Sequence, residues 1–226
     1  MRKVFVPALV VCLVITTYTN TAQAEQGKNY VSFSGGVGWA SDLDRTMTAG
    51  SKQKTLSVEF DNTYGFSAAY GRQIVDWFRL EGELGYMYAK VDEVTEVGNT
   101  MMPESGDEQF FSAMINGIVD IDNTTAFTPF FGGGIGVVYA KHNVDFDPIS
   151  TDTSPGIDSD ESDTVFGSQL LAGVNWKYSE TVTFEAKYRL MYVSEREHSA
   201  SFQPMGEVKI DSTWLQLVMV GVRYTF

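Results

Sequence analysis

From Val31 onward the chain alternates between apolar and small or polar residues in repeated stretches. Val31, Phe33, Gly35, Val37 and Trp39 share one face, with Ser32, Ser34, Gly36 and Gly38 on the other. Leu56, Val58, Phe60, Tyr64, Phe66, Ala68 and Tyr70 oppose Gly65, Ser67, Ala69 and Gly71. Phe78, Leu80, Leu84, Tyr86 and Tyr88 oppose Arg79, Glu81, Glu83 and Gly85, and Phe111, Ala113, Ile115 and Val119 oppose Ser112, Met114, Asn116 and Asp120. The second half repeats this. Phe131, Ile135, Val137 and Tyr139 alternate with glycines, and Phe166, Leu170, Ala172, Val174 and Trp176 with Gly167, Gln169, Gly173, Asn175 and Lys177. Val182, Phe184, Ala186, Tyr188, Leu190 and Tyr192 oppose Thr183, Glu185, Lys187 and Arg189. Last come Trp214, Val218, Val220, Val222, Tyr224 and Phe226, against Met219, Gly221 and Arg223. A period of two marks strands with unlike faces, and about ten residues is what a tilted strand needs to cross a bilayer.

Which face is apolar decides where the sheet lives. A soluble sandwich turns its apolar face inward and its polar face to water. Here one face carries almost no charge, while the other is read as glycine, serine and charged residues, too poor in bulky apolar groups to form a core. That pattern fits lipid outside and a polar lumen inside, and only a closed sheet satisfies every backbone group in lipid. Connections alternate long (near 40–54, 91–108, 142–163 and 194–210) and short (73–76, 122–126 and 179–181). This is the asymmetry of barrels with long external loops and short periplasmic turns. The prediction is all-β: an eight-stranded antiparallel transmembrane β-barrel, an up-and-down meander with both termini in the periplasm. Aromatic residues sort into two belts: Tyr70, Phe78, Trp176, Phe184, Tyr224 and Phe226 by the turns, and Trp39, Tyr86, Tyr88, Tyr139, Phe166, Tyr192 and Trp214 by the loops. Rings collect at both bilayer interfaces in this way.

The first residues read differently. Arg2 and Lys3 precede an apolar run, Val4 to Ile15, and Ala22-Gln23-Ala24 stands before Glu25. This is the layout of a cleaved secretory signal over 1–24, leaving 25–226 as the barrel; mass spectrometry of the outer-membrane fraction is expected to find Glu25, not Met1, at the N-terminus. The single cysteine, Cys12, lies in the signal, so no disulfide or thiolate metal site is expected in the mature chain. Loss of Arg2 and Lys3 takes the net charge from −13 to −15, which argues against a nucleic-acid partner.

Candidate chemistry is sparse. Arg79, Glu81 and Glu83 on strand three face Glu185, Lys187 and Arg189 on strand seven across the ring. An eight-stranded interior has room only for side chains, and buried charges must pair. A cross-lumen network is therefore expected, with Arg189 and Glu185 as a coupled pair; a narrow ion path is the rival reading. On this scheme charge introduced at the lipid-facing Leu84 should harm assembly more than loss of Arg79. Asp145, Asp147, Asp152, Asp158, Asp160, Glu161 and Asp163 crowd the third loop, but the run lacks the spacing of a calcium loop, and no metal or cofactor is expected. His142 and His198 are the only histidines. A set of His198 with Ser199, Ser201 and Glu207 can be drawn, but the lipid wall shows no polar cluster to support catalysis there.

The stretch from Met114-Ile115-Asn116-Gly117 to Phe130-Phe131-Gly132-Gly133-Gly134 resembles the central hairpin of the opacity-protein family of OmpA-like small barrels. Gln169 with Ala172-Gly173-Val174, then Tyr188-Arg189, is similar to its later strands. The C-terminal face with Val222, Tyr224 and Phe226 resembles the signal that the barrel-assembly machinery reads in outer-membrane proteins. The resemblance implies a bacterial outer-membrane location in contact with lipid, and a non-enzymatic surface antigen, adhesin or envelope-stabilising barrel whose loops meet a host or envelope ligand. The alternative is a small porin-like channel. It is an implication at the level of fold and names no ligand.

Overall fold

The computed structural model describes residues 27–41, 43–49, 52–96, 99–101, 105–121, 125–145, 158–199 and 207–226, with side chains outside 43–62, 91–106, 142–161 and 197–209. Eight long strands form the wall among these residues: β1 (Asn29–Ala40), β2 (Lys52–Val75), β3 (Phe78–Glu96), β4 (Ser105–Asp120), β5 (Phe127–Asp145), β6 (Asp158–Lys177), β7 (Val182–Val193) and β8 (Thr213–Thr225). Each pairs antiparallel with its neighbours in sequence, and β8 returns to β1 from Tyr30↔Thr225 to Ala40↔Leu215. The ring is closed: Asn29 N donates to Phe226 O at 3.2 Å and Phe226 N to Asn29 O at 2.9 Å. The sheet therefore has no free edge at bilayer depth, as lipid demands.

The reversals at one end are short because side chains hold them. Gln73 Nε2 donates to the carbonyls of Val75 and Asp76 at 2.9 and 3.0 Å. The Ser179 hydroxyl accepts from the backbone of Val182 at 3.0 Å. At the other end the strands overrun the bilayer. β2 has 24 residues and β6 has 20, about twice the length a membrane crossing needs. The connections expected to be plain loops carry strands of their own: Leu43–Ala49, Asn99–Met101, Arg196–Ser199 and Glu207–Ile210. The last of these pairs with Leu43–Ala49 as well as with Arg196–Ser199, tying the first and fourth connections together.

Burial confirms the phase of the alternation. Val220 is 68% exposed and Ile115 64% on the outer face, while Arg79 and Arg189 on the inner face are 1% and 0% exposed. A continuous apolar exterior with charge sealed inside is stable only in lipid. The rings gather at both ends. Phe127, Trp176, Tyr178 and Phe184 form one contiguous group by the turns, and Tyr86, Phe111 and Tyr139, with the Tyr192–Trp214 pair, line the opposite rim. Gln216, on the outer face of β8, accepts a hydrogen bond from the Tyr188 hydroxyl, so this polar group does not meet lipid unsatisfied.

Candidate functional site

The lumen is the most organised polar site among the described residues, and it is built in two tiers. The tier nearer the turns is charged. Arg79 stands at its centre, with Nε 3.1 Å from Asp120 Oδ2, and Nη1 3.5 Å from Glu185 Oε1 and 3.8 Å from Glu81 Oε2. Its guanidinium lies over the rings of Phe130 and Tyr30, at 5.1 and 5.6 Å from their centroids. The Tyr30 hydroxyl donates to Glu81 at 2.9 Å, and Asn116 Nδ2 donates to the other oxygen of Glu81 at 3.0 Å. Asn175 donates to Asp120 at 3.1 Å, and Arg223 reaches Glu185 at 3.6 Å. One step further in, Glu83 receives Arg189 Nη2 at 2.6 Å, Gln169 Nε2 at 3.1 Å and Lys187 Nζ at 3.7 Å.

Two glycines make this crowding feasible. A Cβ on Gly71 would fall 2.2 Å from the ring of Tyr30, and one on Gly85 2.5 Å from Ser112 Oγ, beside the Arg189 guanidinium. Either side chain would fill the space that the network occupies.

All six charged residues read from the sequence lie in this tier, but in a different pairing. Arg189 meets Glu83, not Glu185; Glu185 belongs to Arg79 and Arg223. The reason is height: Arg189 pairs in register with Leu217 and Leu171, further from the turns than Glu185, which pairs with Gly221 and Asn175. Sequence reasoning left out Asp120, Arg223, Tyr30, Asn116, Gln169 and Asn175 as members. The signal was present for the first two, since an ionisable residue in the inward phase of a membrane strand needs an inward partner. With them included, four cations face four carboxylates.

The second tier corrects the expectation of a polar interior. Met87, Ala89, Phe110, Met114, Val138, Ala140, Met191, Val193, Leu215, Leu217 and Met219 point into the external half of the lumen and form one buried cluster with Ala40. Met87, Val138, Met191, Leu215 and Leu217 are each 0% exposed. The inner face there is mostly apolar, with Thr63, Glu108 and Thr213 also buried in its rows, so both faces of the strands are largely apolar and the alternation fades, as at Phe110-Phe111 and Leu217-Val218. Arg196 sits above this cluster, 4% exposed, with its guanidinium 5.7 Å from the centre of the Phe110 ring. On the turn side the lumen opens into a cup of about 630 Å³ whose lining includes Tyr30, Asp120, Asn175 and Arg223.

The remaining candidates fall elsewhere. The side chains of His142, His198, Asp145, Asp158, Asp160 and Glu161, and all of Asp147, Asp152 and Ser201, lie outside the described residues, as does the signal segment. Among the described residues no group of three or more His, Cys, Asp or Glu is placed to hold a metal. Val222, Tyr224 and Phe226 project outward from β8, where Val222 pairs with Phe33 of β1 and Tyr224 with Val31.

Comparison with known proteins agrees with this architecture. A family model described as outer membrane protein beta-barrel domain matches residues 8–226. A Rickettsia bellii protein named "Putative adhesin" is 26% identical over 141 residues, covering 60% of this chain and 62% of the relative. The match thus spans less than two thirds of that relative. The crystal structure of OprG from Pseudomonas aeruginosa superposes with a TM-score of 0.56 at 15% identity, covering 91% of this chain and 99% of that one. The outer membrane protease OmpT from Escherichia coli gives 0.53 at 8% identity, covering 92% and 99%. At these identities the likeness is one of fold alone.

Proposed function

The chain belongs to the outer membrane protein beta-barrel domain family and resides in the bacterial outer membrane, and from that premise we propose that it is a non-enzymatic, non-conducting surface protein whose external end makes adhesive contacts. The observation that carries this reading is the filled lumen. A neutral ion network closes the tier by the turns, and residues of the apolar tier are 0% exposed, so the barrel interior serves as a core. What is left for interaction is the external end. There β2 and β6 continue past the bilayer, and the first and fourth connections are braced by backbone pairing. The name of the Rickettsia relative supports an adhesive role. The outward Val222, Tyr224 and Phe226 supply the face that the assembly machinery would grip before β8 closes on β1.

The test is display of the protein on a non-adherent Gram-negative strain and counting of bacteria bound to cultured host cells. Cell binding is expected with the intact protein and should fall to background when the connections between β1 and β2, β3 and β4, β5 and β6, and β7 and β8 are replaced by tight turns. Equal binding by both forms would remove the adhesive reading.

A further inference from the structure

The turn-side cup, about 630 Å³, faces the periplasm and has the charged tier as its floor. Its volume lies within the range of small-molecule sites, about 300–1,000 Å³. At that floor both a donor and an acceptor remain unused, each on a side chain more than nine-tenths buried. Arg223 lies over the Tyr30 ring at 5.2 Å and meets Glu185 through Nε at 3.6 Å. A guanidinium carries five N–H donors, so its terminal nitrogens keep capacity for a further acceptor. Asn175 donates through Nδ2 to Asp120, which sets the way its amide points. Its Oδ1 accepts no hydrogen bond. A buried acceptor left in that state costs free energy until a donor meets it.

Charge narrows the choice of ligand. Lys28, Lys177 and Arg223 line the cup among the described residues, and so do Asp76, Asp120 and Glu180. A net anion would serve the guanidinium, leave Asn175 Oδ1 orphaned and meet as many carboxylates as cations. A net cation has the reverse defect. A zwitterion answers both groups with no net charge to bury. Asn175 and Arg223 stand on β6 and β8 with β7 between them, so their backbones are about 10 Å apart across the sheet. Two residues of extended chain reach about 7 Å, which spans the gap once both side chains point inward.

We propose that the cup is a binding site for a small peptide zwitterion of about dipeptide size, taken free from the periplasm. Its carboxylate pairs with the Arg223 guanidinium in a charge-assisted contact. Its ammonium donates to Asn175 Oδ1, beside Asp120. Trp77, exposed in the cup wall, offers an apolar side to the chain between the two termini. The site lies at the opposite end of the barrel from the adhesive contacts and stands independently of them.

The experiment titrates the full barrel, refolded in lipid nanodiscs, with alanyl-alanine by calorimetry. The same dipeptide acetylated at its amine, and amidated at its carboxyl, are titrated beside it. The free dipeptide is expected to bind, and each blocked form roughly ten-fold or more weakly. Binding should also change the tryptophan emission, and Trp77→Phe should abolish that change while the calorimetric signal persists, which places the ligand in the cup. Arg223→Gln should invert the order, so that the amidated dipeptide binds better than the free one. If that variant fails to fold, the order of the three peptides on the unaltered barrel decides alone. Absence of binding by the free dipeptide would overturn the proposal. So would an acetylated form that binds equally well, which is a plain anion site, or an amidated form that does so, which is a plain cation site. An emission change that survives in Trp77→Phe would move the ligand out of the cup and equally overturn it.

Discussion

Arg79→Leu is expected to cost about 5 kcal/mol of folding stability or to abolish folding. Removing one member of a buried ion pair costs roughly 3–5 kcal/mol because the partner charge stays buried and unpaired. Here Asp120, Glu185 and Glu81 all lose the same guanidinium at once, and Glu185 keeps a second cation within ion-pair distance, Arg223 at 3.6 Å. Leu84→Arg is the useful comparison. Leu84 is 52% exposed on the lipid face, and it pairs with Ala68 and Ala113, so a charge there should cost about 2–4 kcal/mol near the midplane. The expectation from sequence, that Leu84→Arg is the worse of the two, is thus reversed by the geometry around Arg79. Urea unfolding in lipid vesicles gives the order directly; Arg79→Leu no more damaging than Leu84→Arg would mean that water screens the inner tier.

The second large effect belongs to Arg189. Its loss in Arg189→Met leaves Glu83 with Lys187 at 3.7 Å and Gln169 at 3.1 Å, so the destabilisation should sit near the lower end, about 3 kcal/mol. Adding Glu83→Gln removes the stranded charge and should restore a large part of that stability. Adding Glu185→Gln should not, because Glu185 serves Arg79 and Arg223. A double-mutant cycle on the same unfolding assay separates the pairs. Coupling of Arg189 to Glu185 equal to its coupling to Glu83 would contradict the arrangement.

The wall was legible in the sequence because lipid enforces a strict rule, apolar outside at every second residue, wherever the inner residues differ from the outer ones. Arg79, Glu81 and Glu83 between leucine, glycine and phenylalanine could be phased by inspection. Where Met87 lies between Tyr86 and Tyr88, or Leu215 beside Trp214, both faces are apolar, and periodicity carries no information about which side is the core. The exact ion partners were hidden for another reason. They depend on the relative height of strands four apart in the ring, which is fixed by the accumulated register around the barrel and not by any local pattern. The external strands escaped notice because Leu43–Ala49 and Glu207–Ile210 lie in polar stretches without alternation, and they pair with local neighbours, 52–58 and Arg196–Ser199, as well as with each other.

The filled interior is tested most directly by single-channel recording of the refolded protein in a planar bilayer. Two closed tiers, one of paired charge and one of buried methionine and leucine, predict a flat trace with no steady conductance steps at any applied voltage. Reproducible ohmic channels, with ion selectivity that shifts in Glu83→Gln, would contradict it and make the lumen a pore.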